Sequence, residues 1–277
     1  VEGGAALLAV AGAAAGLRIE PPDGPVREVP AGASVRVEPG TRVTARPGRA
    51  GCTWYLAVGG GFDLAPVLGA RATYAPAGLG GLDGRMLAAG DRLPLRGDPG
   101  GPERRVAPPP PSAAPHRVRV VPGPQADRFT EAAIETFLAA DWTVGRAADR
   151  MGLRLEGPEL EHARGHDIVS DGIVTGSIQV PGTRRPIVLL ADRQTTGGYP
   201  KIATVITADL SRLGQARPGE TIRFQAVTPA EATAARRAWR RALDARLAAA
   251  AAGRAGPPQT ERLLAENLIS GVVSMRD

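Results

Sequence analysis

The chain has 277 residues, enough for one large domain or two small ones, and 43% of them are apolar, an ordinary share for a globular fold. The formal charge of +6 arises from 34 basic residues against 28 acidic ones; only Lys201 among the basic residues is a lysine, and the arginines are scattered rather than gathered on one face or threaded between aromatics, which argues against nucleic-acid binding. A single cysteine excludes an internal disulfide or a multi-cysteine zinc site, no run reaches the ~18 apolar residues of a membrane span, and the acidic residue and glycines after Val1 do not read as a signal peptide, so the cytoplasm is the expected compartment.

Residues 1–98 predict a β-rich lobe. The runs "ALLAVAG", "SVRVEPG" and "TWYLAVGGGFD" are separated by Gly/Pro clusters, and "SVRVEPG" alternates apolar and polar residues as a half-buried strand should. "GLGGLDGR", residues 78–85, is too rich in glycine for a regular element and reads as a crossing where backbone approaches backbone or ligand. "LAAGDRLPL" reads as a turn and a closing strand. Residues 99–116, with the run "PPPP", read as an extended linker.

Residues 117–228 predict a second β-rich lobe, opened by "HRVRVVPGP". In "ADRFTEAAIETFLAA", Phe129, Ala133, Ile134, Phe137 and Leu138 recur at helical spacing. The candidate strands "DWTVG", "GLRLEG", "DGIVTGSIQV", "RPIVLLAD", "KIATVI" and "TIRFQAV" are dense enough to suggest a closed barrel, with "DLSRLGQ" one or two helical turns. Residues 229–277 predict a helical tail. "TPAE" is a capping box with Thr228 as cap and Pro229 in the first helical position. The helix after it carries Ala235, Trp239, Leu243 and Leu247 on one stripe and Arg236, Arg237, Arg240 and Arg241 off it, and a further short helix starts at Thr260.

Most candidate motifs dissolve on inspection. "GGGFD" lacks dinucleotide-loop spacing, and there is no G-x-x-x-x-G-K-[ST] loop by which this chain could bind ATP. His162 and His166 stand four apart with Glu159 and Glu161 nearby, but Pro158 and Gly165 make a surface loop the better reading than a metal site. No serine sits in G-x-S-x-G, and Cys52 reads as a packed core thiol. What remains is "RQTTGGYPK", residues 193–201, between two apolar runs. Arg193 and Lys201 bracket it with positive charge, Gln194 donates and accepts, Thr195 and Thr196 offer hydroxyls, and Gly197 and Gly198 allow positive φ and close approach of a ligand to backbone N–H groups. Such a set suits a carboxylate or a developing oxyanion. It equally suits a hairpin whose hydroxyls satisfy their own backbone.

The longer stretch "GSIQVPGTRRPIVLLADRQTTGGYPKIATVI", residues 176–206, resembles the hallmark of the allophanate-hydrolase-subunit-2-like, or biotin-dependent carboxyltransferase, family. "YLAVGGGFDLAPVLGARATY", "GLGGLDGRMLAAGDRLPL", "VRVVPGPQ", "DRMGLRLEG" and "LLAENLISGVV" agree with it in order along nearly the whole chain. The family includes the C component of ATP-dependent 5-oxoprolinase, Kip-type proteins that act on the inhibitor of a sensor kinase, and part of urea carboxylase. The resemblance implies a mainly β fold with a few helices, cyclophilin-like β-barrel architecture and two β-rich lobes. It implies a non-autonomous component that works with the B and A components of 5-oxoprolinase to open 5-oxoproline to glutamate, with ATP used by the complex. Biotin enters only if the chain transfers carboxyl groups as urea carboxylase does, and no Met-Lys-Met-like carrier site is present. By this resemblance the substrate-binding set is Arg193, Gln194, Thr195, Thr196, Gly197, Gly198, Tyr199 and Lys201, with Gln179 from the same stretch; it names no nucleophile or base. Ala70 and Ala72 stand where the family has serines. The family's opening Val-Gln-Asp-x-Gly-Arg-like and Gly-Val-Pro-x-Gly-Gly-like motifs do not occur, so the resemblance predicts an N-terminal lobe short of its first strands.

Overall fold

A computed structural model describes residues 1–48, 50–98, 100–106 and 116–252. The first ~60 residues carry six short strands: β1 (Ala6–Gly12), β2 (Ala14–Glu20), β3 (Arg27–Pro30), β4 (Ser34–Val37), β5 (Arg42–Pro47) and β6 (Trp54–Val58). They form two antiparallel sheets ordered β4-β1-β6 and β3-β2-β5. Alternation along β1 turns Ala6, Leu8 and Val10 inward, and Leu17, Ile19, Val29, Val35 and Val37 complete that core. β7 (Arg104–Arg105) lies beside this lobe: the Arg104 amide donates to Ser34 Oγ at 2.7 Å and the Val106 amide to Gly32 O at 2.8 Å.

Between β6 and β7 the chain is held by turns and isolated bridges. "LAAGDRLPL" departs from the expected strand: only Leu95 pairs, with Phe62, because Pro94 has no N–H to give a ladder. "GLGGLDGR" is the predicted crossing. A Cβ at Gly84 would collide with the Gly78 carbonyl, and one at Gly80 with the Ala72 carbonyl, so both positions require glycine.

The second half contributes β8 (His116–Pro122), α1 (Glu131–Ala139), β9 (Trp142–Val144), β10 (Gly152–Glu156), β11 (Asp171–Gly172), β12 (Ser177–Gln179), β13 (Ile187–Leu189), β14 (Thr196–Gly197), β15 (Lys201–Val205), α2 (Leu210–Leu213), β16 (Thr221–Ala226) and α3 (Pro229–Ala248). Seven strands close a barrel in the order β10-β13-β12-β15-β8-β16-β9, with β8 and β16 parallel and the other pairs antiparallel. Closure leaves these strands no free edge. Val118, Val120, Ile178, Val188, Ile202 and Ile222 fill the barrel with α1 packed against it through Ala133 and Phe137. Thr130 caps α1 by accepting from the Ala133 amide at 3.1 Å. The fold is therefore mainly β, as expected.

α3 starts on the predicted capping box, with Glu231 reaching back to the Thr228 amide and Thr228 Oγ1 receiving the Glu231 amide. Its apolar stripe is not fully covered: no residue of α3 is buried, and Trp239 and Leu247 remain exposed. The helix expected from Thr260 lies outside the described residues. Among the described residues no helix is long and apolar enough to cross a membrane.

Cys52 corrects a second expectation. It is exposed rather than packed in the core, because it sits on the short connection before β6 where the two lobes meet. There Gln215 Oε1 accepts from the Cys52 and Thr53 amides at 3.0 Å each, Gln215 Nε2 donates to Thr53 O at 2.8 Å, and Arg217 Nε donates to Gly51 O.

Candidate functional site

The segment 190–200 joins β13 to β15 at the rim of the barrel, and a two-stranded ribbon of β14 against β11 holds it there. The Ile173 amide donates to Thr195 O at 2.9 Å and the Ile168 amide to Gly198 O at 2.8 Å. By alternation from the 173/195 pair, Asp171 and Gly197 form the next bonded pair, so the Gly197 amide is committed to β11. Neither Gly197 nor Gly198 adopts positive φ. Glycine is needed at 197 for another reason: a Cβ there would lie 2.6 Å from Ile173 Cδ1 and 2.9 Å from Gln179 Nε2. Glycine is thus required at 197 by close packing onto Ile173 and Gln179 and not by a left-handed backbone.

Lys201 and Gln179 are buried in that support rather than offered to solvent. The Lys201 ammonium, on a side chain 2% exposed, donates to Asp171 Oδ2 at 2.7 Å and to Gly172 O at 3.2 Å. Gln125 completes the cluster: its Oε1 accepts from the Lys201 amide at 3.1 Å and its Nε2 donates to Asp171 Oδ2 at 3.1 Å. The Asp171 carboxyl is held below the usual carboxylate range, first by the Lys201 hydrogen bond, then by the Gly172 amide and Gln125. Gln179, also buried, donates to Tyr199 O at 3.3 Å and receives Gln194 Nε2 at 3.5 Å.

Four predicted residues keep free groups. The Thr195 and Thr196 hydroxyls and the Tyr199 phenol, which is 42% exposed, make no hydrogen bond among the described residues. Arg193 has no carboxylate partner; its Nε is buried without an acceptor, and its guanidinium reaches only Ala191 O at 3.5 Å. Its neighbour Asp192 is instead taken by Arg150, at 2.8 and 2.9 Å. That pairing raises the Arg150 pKa, with a smaller contribution from Tyr55 of the N-terminal lobe. The loop thus presents one unneutralised guanidinium and three hydroxyls above a neutral, pinned base. Such a surface can receive a carboxylate and donate to a developing oxyanion. Asp171 and Gln125 were absent from the predicted set. The only sequence signal for them is the Asp-Gly pair that starts β11 and the glutamine that follows Pro124.

A closed barrel with a polar loop on its rim, joined to a smaller two-sheet lobe, defines the class. Residues 2–226 match the carboxyltransferase domain, subdomain A and B, and the chain belongs to that family. It is 38% identical over 201 residues to the C component of 5-oxoprolinase from Escherichia coli K12, covering 71% of this chain and 63% of that protein. It is 41% identical over 189 residues to the C component of 5-oxoprolinase from Haemophilus influenzae, covering 66% and 59%. The chain thus spans about three-fifths of the length of these relatives. Among solved structures, Kluyveromyces lactis urea carboxylase superposes with a TM-score of 0.74 at 26% identity, over 94% of this chain and 24% of that one.

Proposed function

We propose that the chain is a non-autonomous component of an ATP-dependent 5-oxoprolinase, opening 5-oxoproline to glutamate together with the A and B components. The observation that carries this reading is the Arg193 guanidinium, which has no carboxylate partner and an unbonded Nε, in the same loop as the free hydroxyls of Thr195 and Thr196, on a chain 38% and 41% identical to two 5-oxoprolinase C components. 5-Oxoproline has two features to recognise, a carboxylate and a resonance-stabilised ring amide. Arg193 matches the first by bidentate pairing. The threonine hydroxyls match the negative charge that builds on the lactam oxygen as the ring opens. ATP is consumed by the assembled complex to activate that oxygen; this chain's share is to hold the substrate.

The test is reconstitution with A and B proteins, following 5-oxoproline-dependent release of ADP and glutamate. Arg193→Ala and Thr196→Ala should each lower turnover by about a hundredfold or more, the scale of losing one transition-state donor, with the melting temperature unchanged. Full activity in both variants sinks the assignment of the loop, and no turnover from the wild-type assembly sinks the reaction. Carboxyl transfer is the second reading, supported by the likeness to urea carboxylase. It requires biotin carried on another protein, and bicarbonate-dependent carboxylation with a biotin-loaded carrier would select it.

A further inference from the structure

The candidate loop is fixed at its start as well as at its end. β10 and β13 pair as far as Gly152 and Leu189. Two further backbone bonds carry that pairing into the loop: the Leu190 amide donates to Met151 O and the Asp192 amide to Arg150 O, each at 2.9 Å. The turn that supplies these acceptors is itself set, because Asp149 Oδ1 accepts from the Met151 amide at 2.8 Å and the Gly152 amide at 3.1 Å. Arg150 then closes the junction with its side chain, Nε and Nη2 meeting Asp192 Oδ2 and Oδ1 at 2.8 and 2.9 Å as a fork. The partners are unequal: the Arg150 side chain is 71% exposed and the Asp192 side chain 17%. Next in the chain stands Arg193, whose guanidinium has no carboxylate partner among the described residues.

We propose that Arg150 is a positioning residue for Arg193: by holding both oxygens of Asp192 it keeps that carboxylate from neutralising the guanidinium one residue away. Resting on the reading of Arg193 as receptor of the substrate carboxylate, Arg150 guards the charge of the site without touching the substrate. A carboxylate as shielded from water as Asp192 is costly to leave unpaired; deprived of one cation, it takes another or binds a proton. Lys201 is already bound to Asp171, so within the loop Arg193 is the cation open to it. An internal Asp192–Arg193 pair competes with a substrate carboxylate for the same N–H groups, and a tethered competitor acts at high effective concentration. The penalty therefore falls on substrate affinity more than on the chemical step. This role is separable from bracing the backbone, because the bond from the Asp192 amide to Arg150 O does not use the Arg150 side chain.

Steady-state kinetics of the full chain reconstituted with A and B proteins tests this. Arg150→Ala should raise KM for 5-oxoproline by about tenfold or more, the scale of losing a charged hydrogen bond to the substrate, with kcat lowered far less. Asp192→Asn removes the competing charge and should raise KM by less than about fivefold, the scale of an open ion pair. The double variant Arg150→Ala/Asp192→Asn should return to the Asp192→Asn value. A fork that only braces the loop predicts otherwise, a double variant no better than Arg150→Ala. The state of Arg193 also has a readout that needs no substrate. Its rate of modification by phenylglyoxal, mapped by mass spectrometry, should fall in Arg150→Ala and recover in the double variant. An unchanged KM for Arg150→Ala in an active complex, or a double variant that recovers neither KM nor labelling, overturns the proposal. A wild-type complex without turnover overturns the assigned reaction instead, and the labelling then decides the role of Arg150 alone. Should Arg150→Ala not fold, Arg150→Lys, whose ammonium offers no fork, carries the same comparison with and without Asp192→Asn.

Discussion

The ammonium of Lys201 donates to Asp171 Oδ2 at 2.7 Å, and this one contact ties a barrel strand to the ribbon that carries the candidate loop. The lysine is buried while the aspartate is half-exposed, so the carboxylate acts as the lid over a charge that the barrel cannot solvate. Asp171→Ala strips that lid and leaves the ammonium facing Gly172 O alone. It should lower the melting temperature more than Lys201→Met, which removes the charge and leaves Asp171 in contact with water. Both variants release β11 from Lys201, so both should cost turnover in the reconstituted complex by about tenfold to a hundredfold through misplacement of the loop. If Lys201→Met keeps full activity, the clasp does not position the site.

The same pair gives the loop a defined acid limit. Asp171 is depressed in the folded state, so its contribution is fully present above the unfolded aspartate pKa of ~3.9 and is lost as pH falls through the lower folded value. Asp91 behaves alike, held down to about 2 first by Arg85 and then by the Ala88 amide. Neither group should make stability vary with pH between about pH 5 and 8, and stability should fall below about pH 4. Asp171→Asn should flatten part of that acid limb. An acid limb unchanged in the variant would show that Asp171 is not depressed.

Gly197 and Gly198 separate two readings of the glycine pair. Alanine at 197 drives its Cβ to 2.6 Å from Ile173 Cδ1 and 2.9 Å from Gln179 Nε2. Overpacking of this kind costs about 1–3 kcal/mol. Alanine at 198 meets nothing closer than Ile168 O, at 3.3 Å, and should be tolerated within about 0.5 kcal/mol. Chemical denaturation of the two variants distinguishes them, and equal costs would mean that the pair is constrained as a unit rather than at Gly197.

What the sequence revealed and what it hid divide along contact range. Alternation in "SVRVEPG" and "HRVRVVPGP", the helical spacing of Ala133 and Phe137, and the Thr228–Glu231 box are local signals, and each produced the element it predicted. The loop 193–201 was legible as a gathering of polar groups. Which of them were free was not, because Lys201 is neutralised from 30 residues away and Asp171 is steadied by Gln125 from 46 away. Composition made Lys201 look like a ligand for anions; the fold uses its charge internally and leaves Arg193 without a carboxylate partner. Cys52 failed for the same reason, since its backbone amide is held by Gln215, 163 residues away in the other lobe.

Asp209 and Arg119 set a stability prediction independent of the loop. Asp209 is 1% exposed and accepts the Arg119 amide at 2.8 Å, its Nε at 2.9 Å and its Nη2 at 2.7 Å. It holds the turn after β15 against β8. Asp209→Ala leaves a buried amide and a guanidinium without their acceptor and should cost about 2–4 kcal/mol, the Arg119 side chain being open enough to recover some hydration. Asp209→Asn keeps one acceptor and should cost less. An Asp209→Ala variant as stable as wild type would show that water replaces the carboxylate.

Gln215 tests whether the two lobes act as one body. Its amide takes both N–H groups of Cys52 and Thr53 and returns a bond to Thr53 O, so one side chain closes three backbone bonds across the junction. The Gly51 position is shaped for it: a Cβ there would sit 2.5 Å from Gln215 Oε1. Gln215→Ala removes all three bonds at a partly exposed site and should destabilise by about 1–3 kcal/mol. Gln215→Glu keeps the acceptor for Cys52 and Thr53 but sets a carboxylate oxygen against Thr53 O, and should fall between wild type and alanine. Limited proteolysis reads the coupling directly. If Gln215 joins the lobes, the alanine variant should be cut before β6 faster than wild type, with the barrel left intact. Equal rates in the two proteins would place the coupling elsewhere, in Arg217 and its bond to Gly51 O.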